Sequence, residues 1–457
     1  MNTDLCQYDE KRIAVSNMDK SVTHIVIPKD VKRIKEKAFC GYASLQKIEI
    51  PNSVEEICSS AFEGCISLKS IQLPNSVTRI GWYVFKNCSS LENIIIPDSV
   101  EQVGGFAFED CKSLKSVVLP NTIKEIVWRA FKGCTSLEEI VIPDSVTKIG
   151  YNSFNGCSSL VKISIPNSMK TIAGAAFEGC SSLQNINIPN SVTTLQGQTF
   201  KDCISLKAIT IPNSVNEIDN GTFEGCTALE KITISNSVRE IGICAFEGCT
   251  SLMVINLPTK VTKIEKNAFK ACSSLEKIIL PKLITEISVG CFEGCTSLKC
   301  VSIPNSVTKI NSGAFNGCVS LKSIDIPNSV TVISAHSSIE KIGAFKRCTS
   351  LKKIVMPNTV TEIGWYAFDE CTSLESIVLP NNENYYIESF VFKGCISLKH
   401  IHSEVENPNG IYCYDNAFEG FNTDECILYV PNGTQLAYRN HKGFGKFKRI
   451  EIERGEE

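Results

Sequence analysis

Hydrophobic and polar positions alternate along this chain in one pattern, written over and over. Ala176 to Pro189 reads AFEGCSSLQNINIP and is followed by Asn190-Ser191-Val192-Thr193-Thr194-Leu195. Counterparts of Phe177 stand at every 23rd residue from Phe39 to Phe315, and the series continues at Phe345, Phe368, Phe392 and Phe418. That makes 17 copies, so 17 of the 22 phenylalanines occupy a single repeat position. Within a copy, Ile186 and Ile188 alternate with Asn185 and Asn187, the period-two signature of a strand with one buried face. Pro189 cannot donate to a strand ladder and ends the strand. Asn190-Ser191 supplies turn chemistry. Val192 and Leu195 then return to the core, with Phe177 filling its far side. One unit cannot bury these side chains alone, whereas stacked units can, which gives parallel strands roughly 4.8 Å apart. The expectation is a solenoid of about 17 stacked 23-residue units with a parallel β-sheet and terminal caps. At that spacing the stack spans on the order of 80 Å.

The segment Leu183-x-x-Ile186-x-Ile188 fits the L-x-x-L-x-L core of a leucine-rich repeat, and the period lies inside the window of roughly 20–29 residues for that class. The fuller motif F-x-G-C-x-S-L-x-x-I-x-I-P-N-S-V-x-x-I-G resembles the BspA-like (Treponema-type) leucine-rich repeat proteins of host-associated bacteria and some protists. The resemblance covers about Val22 to Cys426. It implies a leucine-rich-repeat solenoid. It also implies a surface-exposed role in adhesion, or in binding proteins of a host or neighbouring cell. One repeat fold hosts many functions, so the ligand does not follow from the motif.

The repeat divides the chain into an N-terminal cap (1–21), the leucine-rich-repeat solenoid (22–403), and a last irregular repeat with a C-terminal cap (404–457). In the first segment Ile13-Ala14-Val15 is expected as a short strand. At the other end Ile427 to Pro431 reads as a last strand. Thr434 is placed to N-cap a short helix through Leu436-Ala437-Tyr438, Gly443 and Gly445 end it, and Phe447 to Ile452 reads as a final strand. Seven extra residues bulge near Ser334–Glu340, either a functional loop or a tolerated one. The Asn-Ser pair lapses at Thr259-Lys260 and Lys282-Leu283, and Ser235 replaces a strand-ending proline.

Composition adds limits. A net charge of −3 and a pI near 6.1 argue against nucleic acid as the main partner. No apolar run reaches the length of a membrane span, so no membrane insertion is expected. Met1 to Cys6 lacks the basic and apolar regions of a signal peptide. Localisation therefore stays open between an interior protein, export by another route, and a leader already removed. Of the 23 cysteines, fifteen hold one repeat position: every 23rd residue from Cys65 to Cys318, then Cys348, Cys371 and Cys395. Stacked at coil pitch their Cβ vectors run parallel, which suits a buried thiol column better than disulfides. Ligands 23 residues apart do not make a metal site. A reducing or anaerobic setting suits so many free thiols.

No catalytic motif is present: G-x-S-x-G, Walker A and H-E-x-x-H are all missing. His400 and His402 lie on one face of a predicted strand without a third ligand. No cofactor or metal is expected, and the chain reads as a monomeric, non-enzymatic protein-binding or adhesion protein. An intracellular scaffold assembling protein partners is the alternative. Two columns carry the candidate surface. The outward middle strand position, polar in most units, is Ile95, Val118 and Val141 in three consecutive ones, a contiguous apolar stripe. Two residues after the isoleucine of V-x-x-I stand Trp82, Trp128, Tyr151 and Trp365, with Tyr83, Phe106 and Tyr366 one place on. These aromatics are either interface anchors or local packing over the loop. Stripe and aromatic edge are expected on different sides of the coil.

Overall fold

The computed structural model describes residues 3–5, 13–14, 19–335 and 342–453. They form a parallel-strand leucine-rich-repeat solenoid of about 18 turns, with almost no helix. The chain divides into two compact units, Met1–Ser235 and Asn236–Glu457.

In the first unit most coils contribute two strands rather than one; at Ser70 and Asn185 the I-x-I segment makes an isolated bridge only. The I-x-I strands pair in parallel at the repeat spacing, as in Ser116–Val118 on Asn93–Ile95, with Val117 opposite Ile94. The V-x-x-I segments form a second parallel ladder, with Ile57 opposite Ile80 and Ile80 opposite Val103. The sequence marks V-x-x-I only as a return to the core. The structure makes it a ladder because identical short segments, held in identical places, meet in register. Thr3–Leu5 pairs with His24–Val26, and Ile13–Ala14 pairs with Arg33–Ile34, so both ladders begin one coil before the first Phe.

Between ladders the backbone turns three times. Proline's carbonyl accepts from the valine of P-N-S-V, as Pro51 does from the Val54 N–H at 3.1 Å. The serine hydroxyl of that turn reaches the preceding coil: Ser53 donates to the Val31 carbonyl at 2.7 Å and Ser168 to the Val146 carbonyl at 2.7 Å. In F-x-G-C the glycine takes a left-handed φ, +70° at Gly179, which glycine adopts without Cβ strain. The core inside these turns is columnar. Phe154, Phe177 and Phe200 are fully buried, with ring centroids 5.5 and 5.6 Å apart and planes within 9° of parallel. Those distances exceed the coil spacing of roughly 4.8 Å, so the rings stack offset, the arrangement the ring quadrupole favours.

The cysteine column is part of the bonding. Cys157 Sγ donates to the Phe131 carbonyl of the preceding coil at 3.1 Å, and Cys180 Sγ to that of Phe154 at 3.2 Å. Each carbonyl also accepts its own coil's cysteine N–H, at 3.2 Å for Phe131 and 3.0 Å for Phe154, so both lone pairs are used. The described cysteines are free thiols.

The second unit repeats the architecture from Glu240–Ile241 onward. Val332–Ala335 pairs with Lys309–Asn311 through a register shift at Asn311, where the extra residues enter. Of the expected 334–340 bulge, 336–340 lie outside the described residues, as does His336. At the C-terminus Ile427–Val430 continues the ladder and Arg449–Ile452 closes it, two residues later than the start expected at Phe447. The short helix is Gln435–Asn440. Thr434 precedes it without capping: its hydroxyl donates to the Pro431 carbonyl instead, at 2.7 Å. Tyr438 is the buried residue of this helix, and its hydroxyl donates to the Val405 carbonyl at 2.8 Å.

Candidate functional site

In the first unit the candidate stripe lies on the I-x-I ladder. Ile95 and Val118 are direct cross-strand partners, and Glu139–Val141 packs alongside Ser116–Val118. All three side chains point away from the core, with Ile95 66% exposed. The aromatic edge follows the other ladder, immediately after Arg79–Ile80, Gln102–Val103 and Glu125–Ile126.

The aromatic edge splits into exposed and buried members. Trp82, Trp128 and Tyr151 are about half exposed, Trp82 at 48%. Tyr83 is half-buried. Phe106 is not part of the open surface: it is 8% exposed. It lies 4.6 Å from Tyr83, 6.2 Å from Trp82 and 5.6 Å from Trp128, ring centroid to centroid. Lys86 Nζ sits 5.4 Å from the Tyr83 centroid, and the Arg129 guanidinium 5.3 Å from that of Phe106. Phe106 is covered because its column neighbours are all large, so it serves as the floor of the cluster. Tyr83 and Phe106 also hold left-handed φ of +60° and +58°, a slot each coil must fill. A residue with a Cβ there carries backbone strain that Gly221 of another coil avoids.

Glycines make room for the open rings. In the Trp82 column the next coil places Gly105, where a Cβ would stand 2.9 Å from Trp82 Cζ3. Gly174 follows Tyr151 in the same way, with the ring 3.2 Å from a Cβ position. The large-then-small order down one column is the signal that could have identified these glycines.

Trp82 stands at the edge of a groove of about 770 Å³ along the V-x-x-I ladder. Its walls carry alternating charges: Arg33 Nε lies 2.9 Å from Glu56 Oε2, and Arg79 Nη1 3.6 Å from Glu56 Oε1. Arg33 also donates to Cys58 Sγ at 3.0 Å. Burial outweighs that contact and holds the Cys58 thiol above its ordinary pKa, so it is not a preformed nucleophile.

Trp365 belongs to the second unit, half-buried, with its indole N–H donating to Glu388. His400 and His402 flank Tyr429 rather than a metal position, the His402 ring 4.8 Å from the tyrosine ring and its Nδ1 3.0 Å from Glu453 Oε1. Among the described residues no group of three or more histidine, cysteine or acidic side chains is arranged to hold a metal ion, and no helix is long and apolar enough to cross a membrane. Sequence reading missed Ile279 and Val355 of the second unit, which occupy the outward position of Ile95 and are also exposed.

The chain is similar to known repeat proteins over most of its length. A leucine-rich repeat protein from Bacteroides ovatus shares 29% identity over 86% of this chain and 92% of its own, with a TM-score of 0.56. A leucine rich cell surface protein from Faecalibacterium prausnitzii is 30% identical over 68% of this chain and 87% of its own, with a TM-score of 0.45. No curated protein matches the sequence. The profile of the BspA type leucine rich repeat region (6 copies) matches residues 16–137, 101–230, 216–338 and 335–429. With Phe, Cys and Pro-Asn-Ser columns running through both units, the chain belongs to the BspA-type leucine-rich repeat family.

Proposed function

We propose that this protein is a non-enzymatic adhesion protein that binds proteins on the surface of a host or neighbouring cell. Leucine-rich repeat solenoids generally bind proteins, and their family is typically non-enzymatic. The observation that carries the reading is the first unit's surface. Ile95, Val118 and Val141 form an exposed apolar row of three consecutive coils at a position that most other coils fill with polar residues. Trp82, Tyr83, Trp128 and Tyr151 form a second patch on the other ladder, beside a charged groove. Large amphipathic aromatics on a rigid frame lose little entropy on binding, which is why they serve as interface anchors. Phe106 supports that patch from beneath.

The test is a pull-down of surface-biotinylated cell proteins by purified protein, with binding quantified by titration. Trp82→Ala combined with Trp128→Ala is expected to weaken capture at least about thirtyfold, since a single central aromatic commonly contributes about 2 kcal/mol. Thermal stability should fall only in part, since about half of each ring packs over Phe106, and capture is compared below both thermal midpoints, where each protein is folded. Substituting Ile95, Val118 and Val141 by Ser tests the other patch. Unchanged capture in both variants would refute the assignment.

A further inference from the structure

The second unit breaks the repeat rule in two adjacent coils without structural gain. In many coils the P-N-S-V serine donates to the valine carbonyl of the coil before, as Ser329 does to Val307 at 2.6 Å, whereas Ser145, Ser191 and Ser306 make no such bond. At the same position stand Lys260 and Leu283, which have no hydroxyl to offer. The strand positions depart in the same direction. Met253, Val254 and Ile279 occupy places held by Gln184, Asn185 and Asn187 in the Phe177 copy, and all three are exposed, Ile279 at 68%. Leu283 is 51% exposed. Departures clustered in neighbouring coils that replace polar surface positions with exposed apolar groups are expected at functional sites.

These substitutions build a groove. It holds about 530 Å³ and is lined by Val254, Leu257, Ile279, Leu280 and Leu283, with Lys277 and Lys282 at its margin. No aspartate or glutamate lines it. The nearest acid in sequence, Glu276, is held by Lys299 at 3.0 Å. Lys260, beside the lining residue Thr259, adds a third exposed cation. On a chain whose net charge is −3, an apolar groove with a purely cationic margin selects its occupant by charge.

We propose that this groove binds an acidic peptide segment carrying apolar side chains, seated with the apolar groups on Ile279 and Leu283 and the carboxylates on Lys277 and Lys282. This goes beyond the adhesion reading, which rests on the other unit. Charge complementarity favours a peptide of this class, and the apolar lining supplies the desolvated contact that fixes it.

Fluorescence anisotropy with the full chain tests it. The probe is a short fluorescein-labelled peptide of Leu, Glu and Ser; one control replaces Glu by Lys, the other Leu by Ser. Saturable binding of the first peptide, at least about tenfold tighter than either control, is expected. Leu283→Ser with Ile279→Asn should weaken it about thirtyfold without lowering the thermal midpoint, since both side chains are largely exposed. Lys277→Glu with Lys282→Glu should reverse the preference towards the Lys peptide. Trp82→Ala with Trp128→Ala should change nothing, which separates this site from the adhesive surface. No saturable binding, equal binding of the Lys control, or indifference to Leu283→Ser with Ile279→Asn would overturn the proposal. So would binding to phosphatidylserine vesicles without binding to the peptide, or self-association lost in that same variant.

Discussion

At the residue scale, the core is governed by columns of identical side chains. Phe177 has no exposed surface and is stacked on both sides by Phe154 and Phe200. Phe177→Ala removes a ring whose space neither neighbour can fill, since each is pinned in its own coil. A loss of about 3–5 kcal/mol is expected from transfer and cavity terms together, read by chemical denaturation. A loss under about 1 kcal/mol would show that the coils close over the gap. The same column logic explains Phe106: between Trp82 and Trp128 it is covered, whereas Tyr151, followed by Gly174, is left open.

At the scale of the element, the coil is the unit of cooperation. Coils are tied to their neighbours by ladder bonds and a cysteine thiol, and many also by a serine hydroxyl, all recurring at the repeat spacing. Contacts reach only adjacent coils in such an array. Deleting one whole repeat, Gly156 to Glu178, therefore rejoins equivalent positions and should leave circular dichroism and cooperative unfolding close to the parent's. Deleting only the first eleven of those residues puts inward positions outward and should abolish cooperative unfolding. Equal damage from both deletions would mean the repeat boundaries are misplaced. Lys260 and Leu283 are informative for the same reason: in a repeated element, a departure stands out against the serine or threonine that most other copies hold.

At the scale of the whole molecule, the thiols add up. Burial pushes Cys157 from the ordinary 9.0 to about 12, and Cys226 and Cys295 equally to about 12. The unfolded chain therefore loses these protons first as pH rises, and folding stability falls from about pH 9 towards pH 12. Below that window the contribution is constant. Each such thiol removes about 1.4 kcal/mol per pH unit within it, so the melting temperature should drop steeply above pH 9. Replacing Cys134 and Cys157 with Ala should flatten the slope, measured by calorimetry across that range. An unchanged slope would mean these thiols ionise in the folded state. Neutral buried thiols should also react slowly with iodoacetamide at pH 7 until the chain is denatured.

The sequence by itself determined the period, the inward residues, the turns and the family. Each local rule is written about 17 times, so noise averages out and the 23-residue spacing alone makes residues such as Ile95 and Val118 neighbours. Tertiary structure decided what depends on the size of that neighbour and on the path between ladders. It turned V-x-x-I into a second sheet, buried Phe106 while leaving Trp82 open over Gly105, and moved the C-terminal strand to Arg449. It also joined Val254, Ile279 and Leu283 into one groove. In sequence these are lapses in a motif. They become a surface because the coil brings positions about 25–29 residues apart onto one face, a consequence of stacked parallel strands rather than of any local preference.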